Sequence, residues 1–308
     1  MVNNIITTNY LNMTEIEQLK YDIEYEQCQY DIACKHPTET DQYYRALSMQ
    51  GQKLQDKKEK LKNLLNTSHM ENNKTKLIFL DTETTGLAET DRLLQLAYKY
   101  QDEGGAIISC NDLFNPGLPI GIEAMSVHHF TEKMVKDKTK FKDSTSYEIL
   151  RDLFDNDYIV VAHNAPFDIG MLEREGLKVN KFICTKKVAV FDDEKAELTN
   201  HRLQYLRYYF GIETDAVAHS AEGDVDVLEK VFDEYFKKYT IDQMLDISSK
   251  PSLIRRINFG KYVNELLVDI LKKDRGYLEW LLNAKKVNQV KEQKDLDMIY
   301  TIETLLKV

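Results

Sequence analysis

Lys76-Leu77-Ile78-Phe79-Leu80-Asp81-Thr82-Glu83-Thr84-Thr85-Gly86 is the stretch that decides the fold of this chain. Four consecutive apolar residues, following a polar run from Asn66 to Lys76, make a short buried-strand pattern. Side chains two apart on a strand share a face, so Asp81 and Glu83 can present their carboxylates to one point. Two hard oxygen donors on a rigid element suit Mg²⁺ or Mn²⁺. Gly86 then lets the backbone turn sharply or approach a ligand closely. Taken alone, the same Asp-x-Glu is also what a polar exit from a strand into solvent looks like.

Outward from this strand, Leu93 to Tyr100 and Ala106 to Phe114 read as two more strands and complete a meander. The pattern then predicts a helix over about Ser144 to Phe154, a strand over Tyr158 to Ala162 and a helix from Pro166. A strand over Phe182 to Ala189 and helices over His201 to Phe210 and Gly223 to Tyr239 follow. Strands followed by alternating helix and strand define an α/β domain with a mixed sheet, residues 76–240. Before it, residues 1–75 place Ile16, Leu19, Ile23 and Tyr30, and then Leu47, Leu54, Leu61 and Leu65, at helical spacings broken by Pro37 and Thr38. This predicts an antiparallel helical hairpin and linker. Gly51 and Lys58 interrupt its heptad seam and argue against a long coiled coil. The hairpin offers a surface for a protein partner or for self-association. Residues 241–308 form a small third domain, where Lys and Arg outnumber Asp and Glu although the chain as a whole carries −10.

A chain of 308 residues accommodates one domain of about 100–200 residues with appendages. No run approaches the roughly 18 apolar residues of a membrane span, and Met1-Val2-Asn3-Asn4 does not open a basic-then-apolar leader; both predict a cytoplasmic chain without a membrane partner. Cys28, Cys34, Cys110 and Cys184 lack metal-ligand spacing and read as reduced thiols. The acidic balance weighs against a tight, non-specific nucleic-acid binder, but not against an enzyme that gathers carboxylates around a cation. Lys133, Lys136, Lys138, Lys140 and Lys142 form either a solvated face or a phosphate track.

Two further clusters carry chemistry. His163-Asn164-Ala165-Pro166-Phe167-Asp168 follows a strand, with Pro166 placed for the first helical position and Asp168 in the first turn. His219-Ser220-Ala221-Glu222-Gly223-Asp224 precedes an apolar-periodic helix, and His219 is the group there whose ordinary pKa lies near neutrality. Each cluster alone has a bland reading as a helix start.

Together, Asp81-x-Glu83, His163-Asn164-x-x-Phe167-Asp168 and His219-x₄-Asp224 resemble the three motifs of the DEDD exonuclease superfamily, histidine branch. The likeness extends to Val127-His128-His129-Phe130-Thr131 and to His201-Arg202-Leu203-Gln204-Tyr205-Leu206. The resemblance implies an RNase H-like mixed five-stranded sheet flanked by helices, and 3′→5′ hydrolysis of nucleic-acid ends with two divalent metal ions, Mg²⁺ or Mn²⁺. It implies that Asp81 bridges both ions, that Glu83 and Asp224 complete the first, and that Asp168 holds the second. His219 becomes the general base. The backbone at Thr84 and Thr85, with Leu87, Asn164 and Phe167, would border the terminal nucleotide, while His163, His128, His129 and His201 supply supporting hydrogen bonds.

Phe259-Gly260-Lys261-Tyr262 and Asp274-Arg275-Gly276-Tyr277-Leu278-Glu279-Trp280 resemble the small C-terminal domain of exodeoxyribonuclease X-like proteins. That tilts the expected substrate toward DNA and the expected role toward repair, end-trimming or proofreading. Lys261, Arg275, Tyr277 and Trp280 are candidates for phosphate and base contacts, although Trp280 beside Leu281 and Leu282 reads rather as a core anchor. An RNA-trimming enzyme of the same superfamily and a non-catalytic binding scaffold are the alternatives.

Overall fold

A computed structural model describes residues 15–35, 46–60, 75–214, 221–287 and 293–307. The chain divides into two compact units, Met1–Thr75 and Lys76–Val308. In the first unit, helix α1 (Glu15–Lys35) lies antiparallel to a helical stretch over 46–60. Lys57 pairs with Glu26 at 2.8 Å, and a Cβ on Gly51 would stand 3.2 Å from the Tyr30 ring. Gly51 therefore interrupts the apolar seam because a tyrosine ring packs directly on it. The turn at Pro37 and Thr38, and Leu61, Leu65 and the linker after them, lie outside the described residues.

The second unit is built on β1 (Leu77–Thr84), β2 (Leu93–Gln101), β3 (Ile107–Leu113), β4 (Ile159–Ala162) and β5 (Phe182–Cys184). Their order is β3-β2-β1-β4-β5, with β1–β2 and β2–β3 antiparallel and β1–β4 and β4–β5 parallel. This is a mixed five-stranded sheet flanked by helices. The meander supplies the antiparallel half, because short turns join its strands; the parallel half needs helical crossovers.

Strand alternation separates two cores. Ile78, Leu80, Leu96, Tyr98, Val160 and Ala162 face one side, against α4 (Thr145–Asp155) and α5 (Ala165–Arg174). Two short helices, α2 (Ile122–His128) and α3 (Glu132–Val135), precede these in the chain. Phe79, Ala97, Val161 and Ile183 face the other side, against α6 (Thr185–Asp192), α7 (Leu203–Tyr209), α8 (Ala221–Phe236) and α9 (Ile241–Ser249).

The last strand is shorter than its sequence pattern predicts. It stops at Cys184, and residues 185–192 form α6 instead. Val188 and Ala189 are buried from a helix, and a short apolar run does not reveal by periodicity alone whether it is buried from a strand or a helix. Helix α9 packs Ile241 and Met244 into the second core, and Ser248 Oγ accepts the Cys184 amide N–H at 2.8 Å.

Beyond α9, a separate core gathers Ile257, Tyr262, Leu267, Ile270, Leu278, Leu281, Met298 and Ile302 from α10 (Leu267–Lys273), α11 (Arg275–Val287) and α12 (Gln293–Leu306). Here Trp280 is 61% exposed and is not the anchor its neighbours predicted. Leu278 and Leu281, three residues apart, face inward and turn Trp280 to the outer side of α11. Lys261 pairs with Asp274 at 3.1 Å and Arg275 with Glu279 at 3.0 Å. No helix among the described residues is long and apolar enough to cross a membrane.

Candidate active site

The odd-numbered face of β1 carries Phe79, Asp81 and Glu83 toward α8, so the strand's alternation sets two carboxylates beside the start of that helix, where Asp224 stands. Thr82 points the opposite way, toward α5, and both its amide N–H (3.1 Å) and its hydroxyl (2.7 Å) donate to Asp168 Oδ1. β1 is thus clasped by two helix starts, one on each face. A register shift at Glu83/Thr84 re-aims the strand just past the second carboxylate.

These carboxylates feel one another. Burial, then the charges of Asp168, Asp224 and Glu83, hold the Asp81 carboxyl well above the ordinary carboxylate range. Glu83 is pushed up to about 7 by burial and then by Asp224 and Asp168. Asp168 is also raised: its burial outweighs the two hydrogen bonds from Thr82 that favour its charged form. Asp224 Oδ1 accepts from Gln204 Nε2 at 2.6 Å, and Arg207 donates to Gln204 Oε1 at 3.4 Å and to Thr214 O at 2.7 Å.

Among the described residues, no group of three His, Cys, Asp or Glu side chains stands preassembled around a metal position. Oδ1 of Asp168 and Oδ1 of Asp224 are instead held by Thr82 and Gln204. The donor set itself fits a hard divalent cation: oxygen-only, largely withdrawn from water, and mutually repulsive until a positive charge compensates it. Opposite Glu83 on β2, Gln95 buries an Oε1 that has no hydrogen-bond partner among the described residues.

The histidines have distinct environments. His163 bridges Thr185 Oγ1 through Nδ1 (2.9 Å) and the His201 carbonyl through Nε2 (2.9 Å). A carbonyl only accepts, so Nε2 carries the proton; burial lowers the pKa to about 3, and the ring is neutral at ordinary pH. It braces the end of β4 against α6. His128 is buried, accepts the Phe130 N–H at Nδ1 and faces the Thr84 carbonyl through Nε2 at 3.3 Å. His201 pairs with Asp193 at 3.0 Å, and His129 adopts a left-handed backbone at the end of α2. His219 lies outside the described residues.

Around the strand exit, Thr84 and Thr85 are buried. Thr85 is engaged in both directions, its N–H donating to Arg92 O and its carbonyl accepting from Gly121 N, each at 2.9 Å. Leu87 is 85% exposed at the tip of the following loop. Asn164 is exposed in a left-handed conformation, and Phe167 is half-buried in the first turn of α5. Gly86 is required by close approach: a Cβ there would lie 2.6 Å from Asp91 Oδ2, the atom that caps the Ala88 N–H. A cavity of about 470 Å³ opens beside Asp81 and Asp224 and is walled by Arg202, Gln204, Tyr205 and Tyr208. Thr82 and Gln204 hold two of the four carboxylates; Gln204 lies in the His201–Leu206 segment that the sequence likeness includes, but nothing in the sequence marks either as a carboxylate's partner. Neither periodicity nor spacing marks a side chain as a hydrogen-bond donor to a distant residue.

Residues 78–232 match the RNase T family, described as exonuclease, and the chain belongs to that family of phosphodiester hydrolases. Its fold is the RNase H-like one. The chain is 30% identical over 212 residues to exodeoxyribonuclease 10 of Escherichia coli (strain K12), covering 67% of this chain and 90% of that protein. It is 34% identical over 163 residues to DNA polymerase III subunit epsilon of Treponema pallidum (strain Nichols), covering 49% of this chain and 72% of that protein. Among solved structures, exonuclease X in complex with 5′ overhanging duplex DNA aligns at 25% identity and a TM-score of 0.40, over 56% of this chain and 99% of that one.

Proposed function

We propose that this chain is a metal-dependent 3′→5′ exonuclease that hydrolyses terminal phosphodiester bonds of DNA and releases nucleoside 5′-monophosphates. The observation that carries the reading is the coupling of Asp81, Glu83, Asp168 and Asp224, brought together from β1, α5 and α8. The choice of DNA is supported by the relatives, an exodeoxyribonuclease and a DNA polymerase subunit. Repair, end-trimming and proofreading all fit such an activity.

In this reading Asp81, Glu83, Asp168 and Asp224 hold two divalent ions, Mg²⁺ or Mn²⁺. Bound there, the pair would stabilise the attacking and leaving oxygens of an in-line displacement. Thr82 and Gln204 orient Asp168 and Asp224. His219, the mark of the histidine branch, takes the proton from the attacking water and must be neutral to do so. His163, locked neutral between Thr185 and His201, braces the site without exchanging protons at working pH. Leu87 offers an open apolar tip for the terminal base, and Thr84, Thr85, Asn164 and Phe167 border that nucleotide.

The test is incubation of 5′-end-labelled single- and double-stranded DNA and RNA with Mg²⁺ or Mn²⁺, beside Asp81→Ala. Stepwise shortening of DNA from the 3′ end, lost in the variant, is the expected result. Internal cuts, or an equally active variant, would overturn the proposal; preferential shortening of RNA would reassign the substrate.

A further inference from the structure

The 470 Å³ cavity that Asp81 and Asp224 line is walled in part by Gln204 and His163, already placed at the site, and in part by Arg202, Tyr205 and Tyr208, which the four-carboxylate site does not use. The volume lies within the roughly 300–1,000 Å³ of ligand-binding clefts. Arg202 precedes α7, and Tyr205 and Tyr208 follow it at successive steps of three, so the three side chains fall along one side of the helix. On the adjoining side of the helix Leu206 is fully buried, and Tyr205 is partly buried against the second core.

Two properties distinguish this row. The exposed Arg202 guanidinium makes no hydrogen bond or ion pair among the described residues, in a chain of net charge −10, whereas Arg92 pairs with Glu175, Arg151 with Glu148 and Arg275 with Glu279. Tyr208 is 73% exposed, with the Arg207 guanidinium 5.4 Å from its ring centre. A cation without a partner among the described residues and an exposed aromatic ring, next to carboxylates, suit a ligand that is both anionic and planar. A free inorganic anion would meet Asp81 and Asp224 with nothing to offset their repulsion. A nucleic-acid strand brings a base that stacks as well as a phosphate that pairs.

Resting on the exonuclease reading above, we propose that Arg202, Tyr205 and Tyr208 form a strand-binding face for the DNA next to the bond being cut. Arg202 takes a backbone phosphate, and Tyr208 supports a base.

The test is fluorescence anisotropy of a 5′-fluorescein-labelled dodecathymidylate with the full chain in EDTA, across a salt series, so that binding is read without turnover. Arg202→Ala should weaken binding several-fold and flatten the slope of log K against log salt by about 0.7, the contribution of one phosphate contact on a single strand. Arg202→Lys should restore the slope. Tyr208→Ala should weaken binding roughly fivefold or more while leaving the slope in place. In steady-state degradation with Mg²⁺, both alanine variants should raise KM more than they lower kcat. Wild-type affinity and slope in both Arg202→Ala and Tyr208→Ala would overturn the strand-binding face, even where the wild-type chain degrades DNA. Failure of the wild-type chain to degrade DNA would instead overturn the exonuclease reading, and the binding measurements would still decide this one.

Discussion

Glu83→Gln in divalent-free buffer is the sharpest probe of the carboxylate cluster, because it removes one charge while keeping the side chain's shape. Glu83 is displaced from an ordinary 4.5 to about 7 by burial and by its acidic neighbours. A displacement of one pH unit corresponds to ~1.4 kcal/mol, so the ionised group costs the folded state roughly 3 kcal/mol at most. Glu83 is only half-buried, and water screens part of this, leaving about 2 kcal/mol. The folded value is raised above the unfolded one. The stability it contributes is therefore full below 4.5 and is lost as pH rises through about 7. At pH 8 in EDTA, Glu83→Gln should raise Tm by roughly 4–8 °C, taking about 2–4 °C per kcal/mol for a domain of this size. At pH 5 the gain should shrink to about 0.5 kcal/mol, because the wild-type carboxyl is then largely protonated when folded. His163 works in the other direction, contributing stability above 6.5 that is lost as pH falls through about 3, but it is common to both proteins and cancels in the difference. Mn²⁺ at pH 8 should stabilise the wild type more than the variant. Differential scanning calorimetry at the two pH values decides the matter: a Tm difference that is the same at pH 5 and pH 8, or a variant less stable at pH 8, would refute the charge-repulsion account.

Two other perturbations follow from named contacts. Gly86→Ala drives a Cβ into the Asp91 carboxylate and should cost about 1–3 kcal/mol in thermal unfolding; an unchanged Tm would show that the Leu87 loop yields freely. Gln204→Leu releases Asp224 and should weaken Mn²⁺ binding by roughly 10–100-fold in isothermal titration calorimetry, whereas an unaltered isotherm would remove Gln204 from any orienting role.

The sequence by itself determined a good deal. Leu77 to Leu80, after a polar run, read as a short buried strand leading into Asp81 and Glu83, and on a strand the period of two puts these acids on one face. The meander and the helix starts carrying Asp168 and Asp224 were legible for the same reason: strand alternation, Pro166 and the apolar period of α8 are local signals. Where local signals are ambiguous, the reading failed. Phe182 to Ala189 is apolar enough for strand or helix, and only packing on β4 and α8 resolves it into three residues of β5 and then α6. Trp280 sits among leucines in the chain, yet helical rotation carries it outward.

What only the tertiary structure decided is which distant groups meet and how hard they push on one another. Asp168 lies 86 residues from Thr82, and Gln204 lies 20 residues from Asp224; the first contact exists because α5 docks on one face of β1, the second because α7 and α8 pack side by side on the other. The raised values of Asp81 and Glu83, the neutral His163 and the placing of Arg202 beside the carboxylates arise from burial and proximity. Those quantities depend on three-dimensional distance and water access, and neither is written in the order of residues along the chain.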